Sequence, residues 1–443
     1  MGRLGSLGAS RHPPSFGSGR MDHGAMRLVV INDVSVVLGG ATKVAMQCVE
    51  AGIAAGMNCT VLVGDDGEGV RTRFPEATVV ALGERPLRDG VRARDVIDRN
   101  YNIRAYAMLD RLLSASDEET VVHVHGWSQI LSPSIFHALA RHRVRVIVTA
   151  HDFFLTCPNG GRLNFRTGEV CEYEPMSPSC LSSNCDKRSY LHKLWRVGRM
   201  LTQRSAGEAF WNGVEVILAH ENMERHLGGG LLRHFQTLRT PCKPLTAGPV
   251  RAWHNDRALF LGRMTWEKGV RTLAEALNRS GRTATLIGRG PLLEEIQNAL
   301  PHCYVPGWLE DSEVDRLASG ARFFIMPSRM PEPYGLVAAE AMMSGIPVIV
   351  SSNALIADEV ARNSAGLVFE SGNAASLAEN IAMMDSATLV RRLSEGAYEY
   401  GKRIAPSDDE WRRRLIEIYQ GGVFADVTGE ETGVMPEAMR AIH

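Results

Sequence analysis

Strand and helix patterns alternate along almost the whole chain, and they do so in two separate series. Short apolar runs typical of buried strands recur between stretches in which apolar residues have helical spacing. A proline-rich stretch at residues 240–255 separates the two series. This alternation is typical of parallel, doubly wound sheets. Because 443 residues exceed the roughly 250–300 that one core supports, we expect two α/β domains.

The predicted strands are short and are bounded by polar or glycine-containing turns. In the first series they lie at residues 27–31, 59–63, 78–82, 121–124, 145–149 and 214–219. In the second series they lie at residues 258–261, 284–287, 303–305, 323–326, 347–350 and 366–369. Helices are predicted at residues 41–55, 91–115, 132–142, 190–208 and 407–419.

These patterns divide the chain into two domains with short flanking segments. The predicted units are a disordered tail at 1–25, an N-terminal Rossmann-like domain at 26–250 with a cysteine-bearing insertion at 152–190, a C-terminal Rossmann-like domain at 251–405, a helix at 406–420 that packs back on the N-terminal domain, and a tail at 421–443. Two such domains imply a cleft between the carboxyl ends of two sheets, where open α/β sheets bind ligands.

Charge and composition argue against several classes of protein. Lys and Arg number 49 and Asp and Glu number 50, without the surplus of cations that a nucleic-acid binder needs. No apolar run approaches the roughly 20 residues of a membrane span. Residues 1–25 lack the apolar core of a secretory signal, so we expect a disordered tail, or a true start at Met21 or Met26, and a cytoplasmic protein. Its eight cysteines are then expected to be thiols or ligands rather than disulfides.

Two cations follow the first strand of the second series. Gly262 permits a tight turn, and Arg263 and Lys268 lie close to the start of the next helix. A guanidinium fork, an ammonium group and free helix N–H groups suit a diphosphate, although a turn with solvated charges has the same pattern. Gly288 follows the next strand, where its backbone would support a base or ribose, or would serve ordinary turn chemistry.

The most informative segment is residues 326–348. Glu332 lies in a loop bounded by two prolines, and Gly335 precedes a helix whose amides could meet a phosphate. Glu340 falls inside this otherwise apolar helix. Since a buried unpaired carboxylate is costly, Glu340 needs a partner, which is either a ribose diol or an internal arginine.

These segments resemble the family 4 glycosyltransferases of the GT-B fold. The family's two glutamates separated by seven residues match Glu332 and Glu340, and its Gly-Arg-x-x-x-x-Lys-Gly motif matches residues 262–269. The resemblance covers residues 26–420 and implies two facing Rossmann-like domains.

By this resemblance, Arg263 and Lys268 hold the donor diphosphate, Glu332 contacts the sugar hydroxyls and Glu340 binds the ribose. The backbone N–H groups expected to help bind the donor belong to Gly335 and Leu336. The family retains anomeric configuration and needs no metal for catalysis, so the cations and the helix end would stabilise the leaving diphosphate.

The function implied is transfer of a sugar from a UDP- or GDP-linked donor to a hydroxyl of a glycan or lipid-linked acceptor. Family frequency favours cell-envelope glycan or exopolysaccharide synthesis. Two alternatives remain open: a sugar-nucleotide epimerase of the same fold, and a non-catalytic module that binds sugar nucleotides.

Three features of the first series resemble the N-terminal half of that family or add to it. Gly39 and Gly40 resemble its glycine-rich loop beside the donor phosphate and the acceptor. His151 resembles the histidine that touches the donor sugar. His123 and His125 share one face of a predicted strand and would either line the acceptor side or belong to the core.

The insertion carries Cys157, Cys171, Cys180 and Cys185 in a loop rich in Pro, Gly, Ser and Asn. Four thiolates suit a structural zinc ion or an iron–sulfur cluster, but no Cys-x-x-Cys pair is present, so disulfides and free thiols are the alternatives. The helix expected at residues 191–201 combines apolar and basic residues. It either lies on an anionic membrane as a peripheral contact or covers the sheet in the ordinary way.

Overall fold

The computed structural model describes residues 26–37, 39–85, 100–115, 119–228 and 230–422. The tail predicted at 1–25, residues 91–99 of the helix predicted at 91–115, and residues 423–443 of the second predicted tail lie outside these ranges.

Two parallel sheets form the framework of the described chain. The first has seven strands in the order β3-β2-β1-β4-β5-β6-β7, and the second has six in the order β10-β9-β8-β11-β12-β13. The strands are β1 Arg27–Asn32, β2 Asn58–Val63, β3 Thr78–Ala81, β4 Thr120–Val124, β5 Arg145–Ala150, β6 Glu215–Leu218, β7 His234–Thr237, β8 Arg257–Leu261, β9 Ala284–Ile287, β10 Tyr304–Gly307, β11 Ala321–Met326, β12 Val348–Ser351 and β13 Gly366–Phe369. Strand order reverses between β1 and β4 and between β8 and β11, the position at which doubly wound sheets bind ligands.

Helices connect these parallel strands. They are α1 Gly40–Ala54, α2 Glu68–Arg73, α3 Ile103–Ser114, α4 Ser134–Arg141, α5 Pro178–Ser182, α6 Tyr190–Arg204, α7 Glu208–Asn212, α8 Glu224–Leu227, α9 Val270–Ser280, α10 Leu293–Ala299, α11 Asp311–Ser319, α12 Leu336–Met343, α13 Ala357–Arg362, α14 Ala374–Met383, α15 Ala387–Ile404 and α16 Asp408–Tyr419. None of the helices in the described ranges combines the length and the apolar composition that crossing a bilayer requires.

The structure departs from the sequence prediction within the N-terminal domain, most clearly at a missed strand and at a broken helix; in addition, the helix predicted at 91–115 begins only at Ile103 in the described residues. Strand β7, His234–Thr237, was not predicted, because polar residues alternate with one aromatic residue on a short, half-exposed edge strand. The helix predicted at 190–208 ends at Arg204, and α7 begins after Gly207, whose φ of 104° lies outside the helical range.

Each sheet is covered on both faces, as parallel sheets require. All six residues of β1 are buried. Val29 and Ile31 pack in the core that contains α3 and α4, and Leu28 and Val30 pack on the opposite side with α1. The continuous apolar run at the start of the first series therefore reflects burial on both faces. The predicted doubly wound α/β architecture is confirmed.

Helix α16 follows the C-terminal domain in sequence but packs against the N-terminal domain. Its residues Trp411, Leu415 and Ile418 are buried in the same cluster as the apolar face of α1. At the rim, Arg412 Nη2 lies 2.6 Å from Glu50 Oε1. The chain therefore crosses between the domains once near residues 238–256 and again near 405–407.

A buried polar cluster joins the two domains beside the first crossing. Glu359 on α13 accepts hydrogen bonds from Arg239 Nη2 at 2.6 Å and from His220 Nε2 at 3.0 Å, and Tyr400 also donates to it. Burial would raise the pKa of Glu359, but these partners outweigh burial and hold the pKa well below its ordinary range. The Glu359 carboxylate is therefore ionised at neutral pH, and its hydrogen bonds join residues of both domains.

The packing of α16 predicts that Leu415→Ala lowers the free energy of unfolding by about 2–5 kcal/mol, because Leu415 is fully buried. Urea denaturation followed by circular dichroism measures this change. Arg413→Ala is the control, since its pair with Glu417 lies on the exposed side of the same helix and should contribute at most about 1 kcal/mol. Equal effects of the two substitutions would contradict the described packing.

Candidate functional site

The central contact of the candidate site joins two loops at the carboxyl ends of β8 and β11. Lys268 Nζ lies 2.7 Å and 2.6 Å from the two carboxylate oxygens of Glu332, and Ser328 Oγ donates to Glu332 Oε2 at 3.0 Å. Burial alone would raise the pKa of Glu332, but Lys268 and Ser328 outweigh burial and hold the pKa below its ordinary value. The two motifs quoted from the sequence therefore meet through an ion pair.

Glycine allows the two loops to approach this closely. Gly269 has a φ of 72°, and a Cβ at this position would lie 1.8 Å from the carbonyl oxygen of Pro327. The carbonyl of Glu267, one residue before Lys268, accepts a hydrogen bond from the Arg329 amide at 2.9 Å. Backbone contacts therefore place Lys268 before any ligand is bound.

Arg263 lies beside this pair and is exposed. Within the described part of the chain its guanidinium makes no hydrogen bond or ion pair, but its charge lowers the pKa values of Glu267 and Glu332. The preceding Gly262 packs against Gly288, whose Cβ, if present, would lie 1.8 Å from the Gly262 carbonyl oxygen. Gly288 is thus needed where two turns touch, a reason that differs from the base or ribose contact considered above.

Helix α12 starts directly beside the ion pair. Gly335 precedes it with a φ of 69°, which side-chain-bearing residues rarely adopt, and a Cβ there would lie 2.9 Å from Met326 Sδ and displace that side chain. Glu340 lies on this helix, and burial raises its pKa to about 7. Among the described residues no side chain donates a hydrogen bond to the Glu340 carboxylate, so the internal arginine considered from the sequence is not found there.

The N-terminal domain contributes the opposite wall of the cleft. A Cβ at Gly40 would lie 3.3 Å from Leu336 Cδ1, which places the start of α1 against the start of α12. Gly39 has extended backbone, and a Cβ there would meet nothing within 4 Å. Lys43 on α1 is the cation that opposes the raised pKa of Glu340. Sequence reasoning missed Lys43, since its proximity depends on how the two domains meet.

Three histidines lie at the carboxyl ends of β4 and β5. His151 Nε2 lies 3.0 Å from His125 Nδ1, whereas His123 bonds to Tyr419 Oη and Thr149 Oγ1, each at 2.7 Å. Burial lowers the pKa of His151 to about 4 and that of His123 to about 3, so both rings are neutral at pH 7. His123 belongs to the core, and His125 and His151 reach the cleft.

A cavity of about 90 Å³ opens beside these rings in the N-terminal domain and is lined by His125, His151, Asp152 and Asn32 among others. Burial raises the pKa of Asp152 to about 6, and the backbone amide of Phe154 and the charge of Arg196 oppose this rise. Asp152 directly follows His151 in sequence and was not singled out by the sequence analysis. A group that titrates near neutrality at a cleft is a candidate for acid–base chemistry.

The four cysteines of the insertion lie together, away from the ion pair. Cys157, Cys171, Cys180 and Cys185 line one small cavity, and all four are free thiols.

Comparison with known proteins supports the expectation from the sequence. Residues 254–400 match the family described as glycosyl transferases group 1, and residues 39–175 match a glycosyl transferase 4-like domain. The chain belongs to the group 1 glycosyltransferases. The two matches fall on the two domains that form the cleft, and the resemblance to family 4 is confirmed.

Individual relatives agree with this assignment. An uncharacterized glycosyltransferase of Methanocaldococcus jannaschii is 30% identical over 153 residues, 33% of this chain and 43% of that protein. The chain spans less than half the length of the first curated relatives it matches, 43%, 26% and 39% respectively.

Comparison with solved structures extends the likeness to most of this chain and to nearly all of each similar structure. Sucrose-phosphate synthase from Thermosynechococcus elongatus superposes with a TM-score of 0.64 at 19% identity, covering 89% of this chain and 98% of that one. HepE from Anabaena in complex with UDP has a TM-score of 0.62 at 13% identity, with 89% and 100% covered. At these identities the likeness shows the fold, and the GT-B prediction is confirmed.

The ion pair predicts that Lys268→Met lowers stability at pH 7 by about 1–3 kcal/mol, because the largely buried Glu332 loses its charged partner. Urea titration measures the change. The pair stabilises the wild type above the ordinary glutamate pKa of 4.5 and is lost as acid protonates Glu332. The penalty of Lys268→Met should therefore shrink as the pH falls through that value.

The control for this experiment is Lys402→Met, which breaks an exposed pair with Glu399 and should cost at most about 1 kcal/mol. Adding Glu332→Gln to Lys268→Met should recover part of the loss, since no unpaired charge then remains. If Lys268→Met loses no more stability than the control, and if this loss does not change with pH, the described pair is contradicted.

Proposed function

We propose that this group 1 glycosyltransferase moves a sugar from a UDP-linked donor to the hydroxyl of a glycan or lipid-linked acceptor, with retention of anomeric configuration. The observation that carries the proposal is the arrangement at the start of α12. There, Arg263 and the Lys268–Glu332 pair lie beside the free N–H groups of the helix start. Glu340 follows on the same helix, and no side chain in the described ranges donates a hydrogen bond to its carboxylate.

In this proposal the donor diphosphate binds between Arg263, Lys268 and the N–H groups that begin at Gly335 and Leu336. Lys268 then exchanges Glu332 for the diphosphate, and the released Glu332 carboxylate accepts hydrogen bonds from sugar hydroxyls. As the bond to the sugar breaks, negative charge grows on the diphosphate, and the two cations stabilise it. This route uses the chain's own cations and requires no metal cofactor.

Glu340 is proposed to accept hydrogen bonds from the ribose diol. Its ionised form binds donors of hydrogen bonds best, and its pKa of about 7 shows that this form is poorly stabilised without a ligand. A diol would supply the hydrogen bonds that no described side chain donates to this carboxylate, in addition to the charge of Lys43. UDP is proposed as the nucleotide because the structurally similar Anabaena protein binds UDP.

The N-terminal domain is proposed to hold the acceptor and to close over the donor sugar. His151 is neutral because it is buried, so its ring can share a hydrogen bond with a sugar hydroxyl without adding charge. Gly40 brings the start of α1 close to Leu336 at the start of α12, and Gly39, directly before it, leaves that edge of the cleft without a side chain. Closure of this cleft would exclude water and limit hydrolysis of the donor.

The acceptor is proposed to be an intermediate of cell-envelope glycan synthesis, reached at the cytoplasmic face of a membrane. Helix α6 exposes Leu191, Leu194 and Leu201 to solvent, and Arg188 is exposed just before it. Apolar side chains beside basic residues favour an anionic membrane surface, where lipid-linked acceptors are found.

Nucleotide binding tests the donor site. We expect UDP to raise the Tm of the wild type more than GDP or ADP, because a ligand of the native state stabilises it by mass action.

UDP affinity measured by calorimetry should be about tenfold weaker at pH 6 than at pH 8, since only ionised Glu340 accepts both ribose hydrogen bonds. Glu340→Gln should bind weakly with a flat pH profile. If it keeps the wild-type profile, Glu340 is not the ribose ligand; Glu275→Gln, at an exposed site, is the control.

Product analysis tests the reaction. With a UDP-sugar and candidate acceptors, NMR of the product should show the donor's anomeric configuration, and Arg263→Met and Lys268→Met should each lower kcat by at least about tenfold through lost stabilisation of the leaving diphosphate. Full activity in both variants would contradict the proposed donor site. A changed sugar nucleotide formed without acceptor would instead identify an epimerase.

A further inference from the structure

The insertion at residues 152–190 holds a defined shape with little regular structure. Its described elements are the short helix α5 and a bridge between Leu163 and Val170. The large apolar side chains that it buries are Phe153, Leu155 and Leu163. Long loops without secondary structure are uncommon, and segments with a small core usually depend on a cross-link or a metal.

The four cysteines of the insertion come together in this loop. Cys157, Cys180 and Cys185 are buried and Cys171 is half-buried, and all four border one cavity of about 10 Å³. They come from four separate parts of the loop, so only the folded insertion assembles them. A cavity of this size has room for about one water molecule or one ion, and it is too small for an organic ligand.

The sulfur of Cys185 accepts two hydrogen bonds. Lys193 Nζ donates to it at 2.9 Å and Asn159 Nδ2 at 3.3 Å. Such donors stabilise a thiolate, which is the form that binds metals, and they are typical of the surroundings of metal-bound sulfur.

Two buried cations border the same cavity and lack carboxylate partners. The Lys193 side chain is fully buried, and its ammonium otherwise donates to the carbonyls of Cys180 and Ser183. Arg162 is buried, its Nη1 donates to the Tyr173 carbonyl at 2.7 Å, and its Nε has no hydrogen-bond partner. Neither forms an ion pair with a carboxylate among the described residues. Since buried charge requires compensation, the sulfurs are the groups placed to supply it.

We propose that Cys157, Cys171, Cys180 and Cys185 bind one thiophilic metal centre, a Zn²⁺ ion or an iron–sulfur cluster, that holds the insertion in shape. On binding, each thiol releases its proton to solvent. Four thiolates around a divalent ion carry two net negative charges, which Lys193 and Arg162 neutralise.

The structure favours each of the two metal chemistries in one respect. Among the described residues no three of these sulfurs lie within 4.8 Å of one another, so a zinc ion, with Zn–S distances of about 2.3 Å, must draw them inward. A wider arrangement of sulfurs suits a polynuclear cluster. The small cavity suits a single ion. Metal analysis distinguishes the two.

The same insertion touches the turn that carries Lys268. Lys187 Nζ lies 3.1 Å from Glu267 Oε2, and the rings of Phe165 and Trp266 have centroids 5.8 Å apart. A metal centre that holds the insertion of the N-terminal domain in shape therefore also supports the proposed donor turn of the C-terminal domain. This consequence rests on the proposed function, whereas the metal site does not.

Elemental analysis of the full chain, purified without chelator or metal-affinity steps, tests the proposal. We expect about one zinc, or iron with acid-labile sulfide and a visible absorption band, per chain. Cys185→Ser should lose this metal, and Cys303→Ser, a half-buried cysteine outside the cluster, should keep it.

Because Cys185→Ser could disturb folding, thiol titration of the native wild type gives a second measurement. Chelation of the metal should expose four additional reactive thiols and lower the Tm. Cys303→Ser should show the same gain on chelation, because the thiols outside the cluster are unaffected. Metal-free wild type that is fully folded, or a disulfide between any two of the four cysteines in non-reducing mass spectrometry, would overturn the proposal. None of these readouts requires turnover, so they are independent of the transfer reaction.

Discussion

The packing of α16 on α1 ties the chain that leaves the C-terminal domain back to the N-terminal domain. Trp411 and Leu415 on α16 are buried with the apolar face of α1, although the C-terminal domain lies between these helices in sequence. The N-terminal domain is thus completed by the last described helix. The same helix reaches the centre of the first sheet, where Tyr419 bonds to His123. His125, two residues after His123 and directly after β4, contacts His151 at the cleft, so the packing of the final helix is connected to the wall of the candidate site.

The sequence predicts most of the fold because strand and helix periodicities are local. Twelve predicted strands correspond to twelve of the observed ones, and parallel pairing follows from the intervening helices. Strand β7 was missed because an edge strand with little burial needs no apolar run. The break at Gly207 was missed because one glycine in a helical pattern often has no effect on the helix.

The candidate site likewise contains features that follow from local sequence and features that do not. Arg263, Lys268, Glu332 and Glu340 could be singled out because their spacing is contained in short motifs. The direct pairing of Lys268 with Glu332 could not, since the two motifs are far apart in sequence and meet only through sheet order. Lys43 was missed for a stronger reason: its effect on Glu340 crosses from one domain to the other. Gly288 was visible in a short motif, but its close approach to Gly262 in a neighbouring turn could not be predicted from spacing; its predicted contact with the donor stays a prediction.

The two chain crossings between the domains also limit how the cleft can move. A body attached by one strand of chain can twist in any direction, whereas attachment at two separated points leaves rotation about the line that joins them as the easy motion. The Glu359 cluster, which includes Arg239 from the first crossing, joins the two domains at one of these points. Lys43 on α1 and Glu340 on α12 belong to different domains, so any change in the angle between the domains changes the distance between this cation and this carboxyl group. The electrostatic support that Lys43 gives to ionised Glu340 is therefore tied to the closure of the cleft.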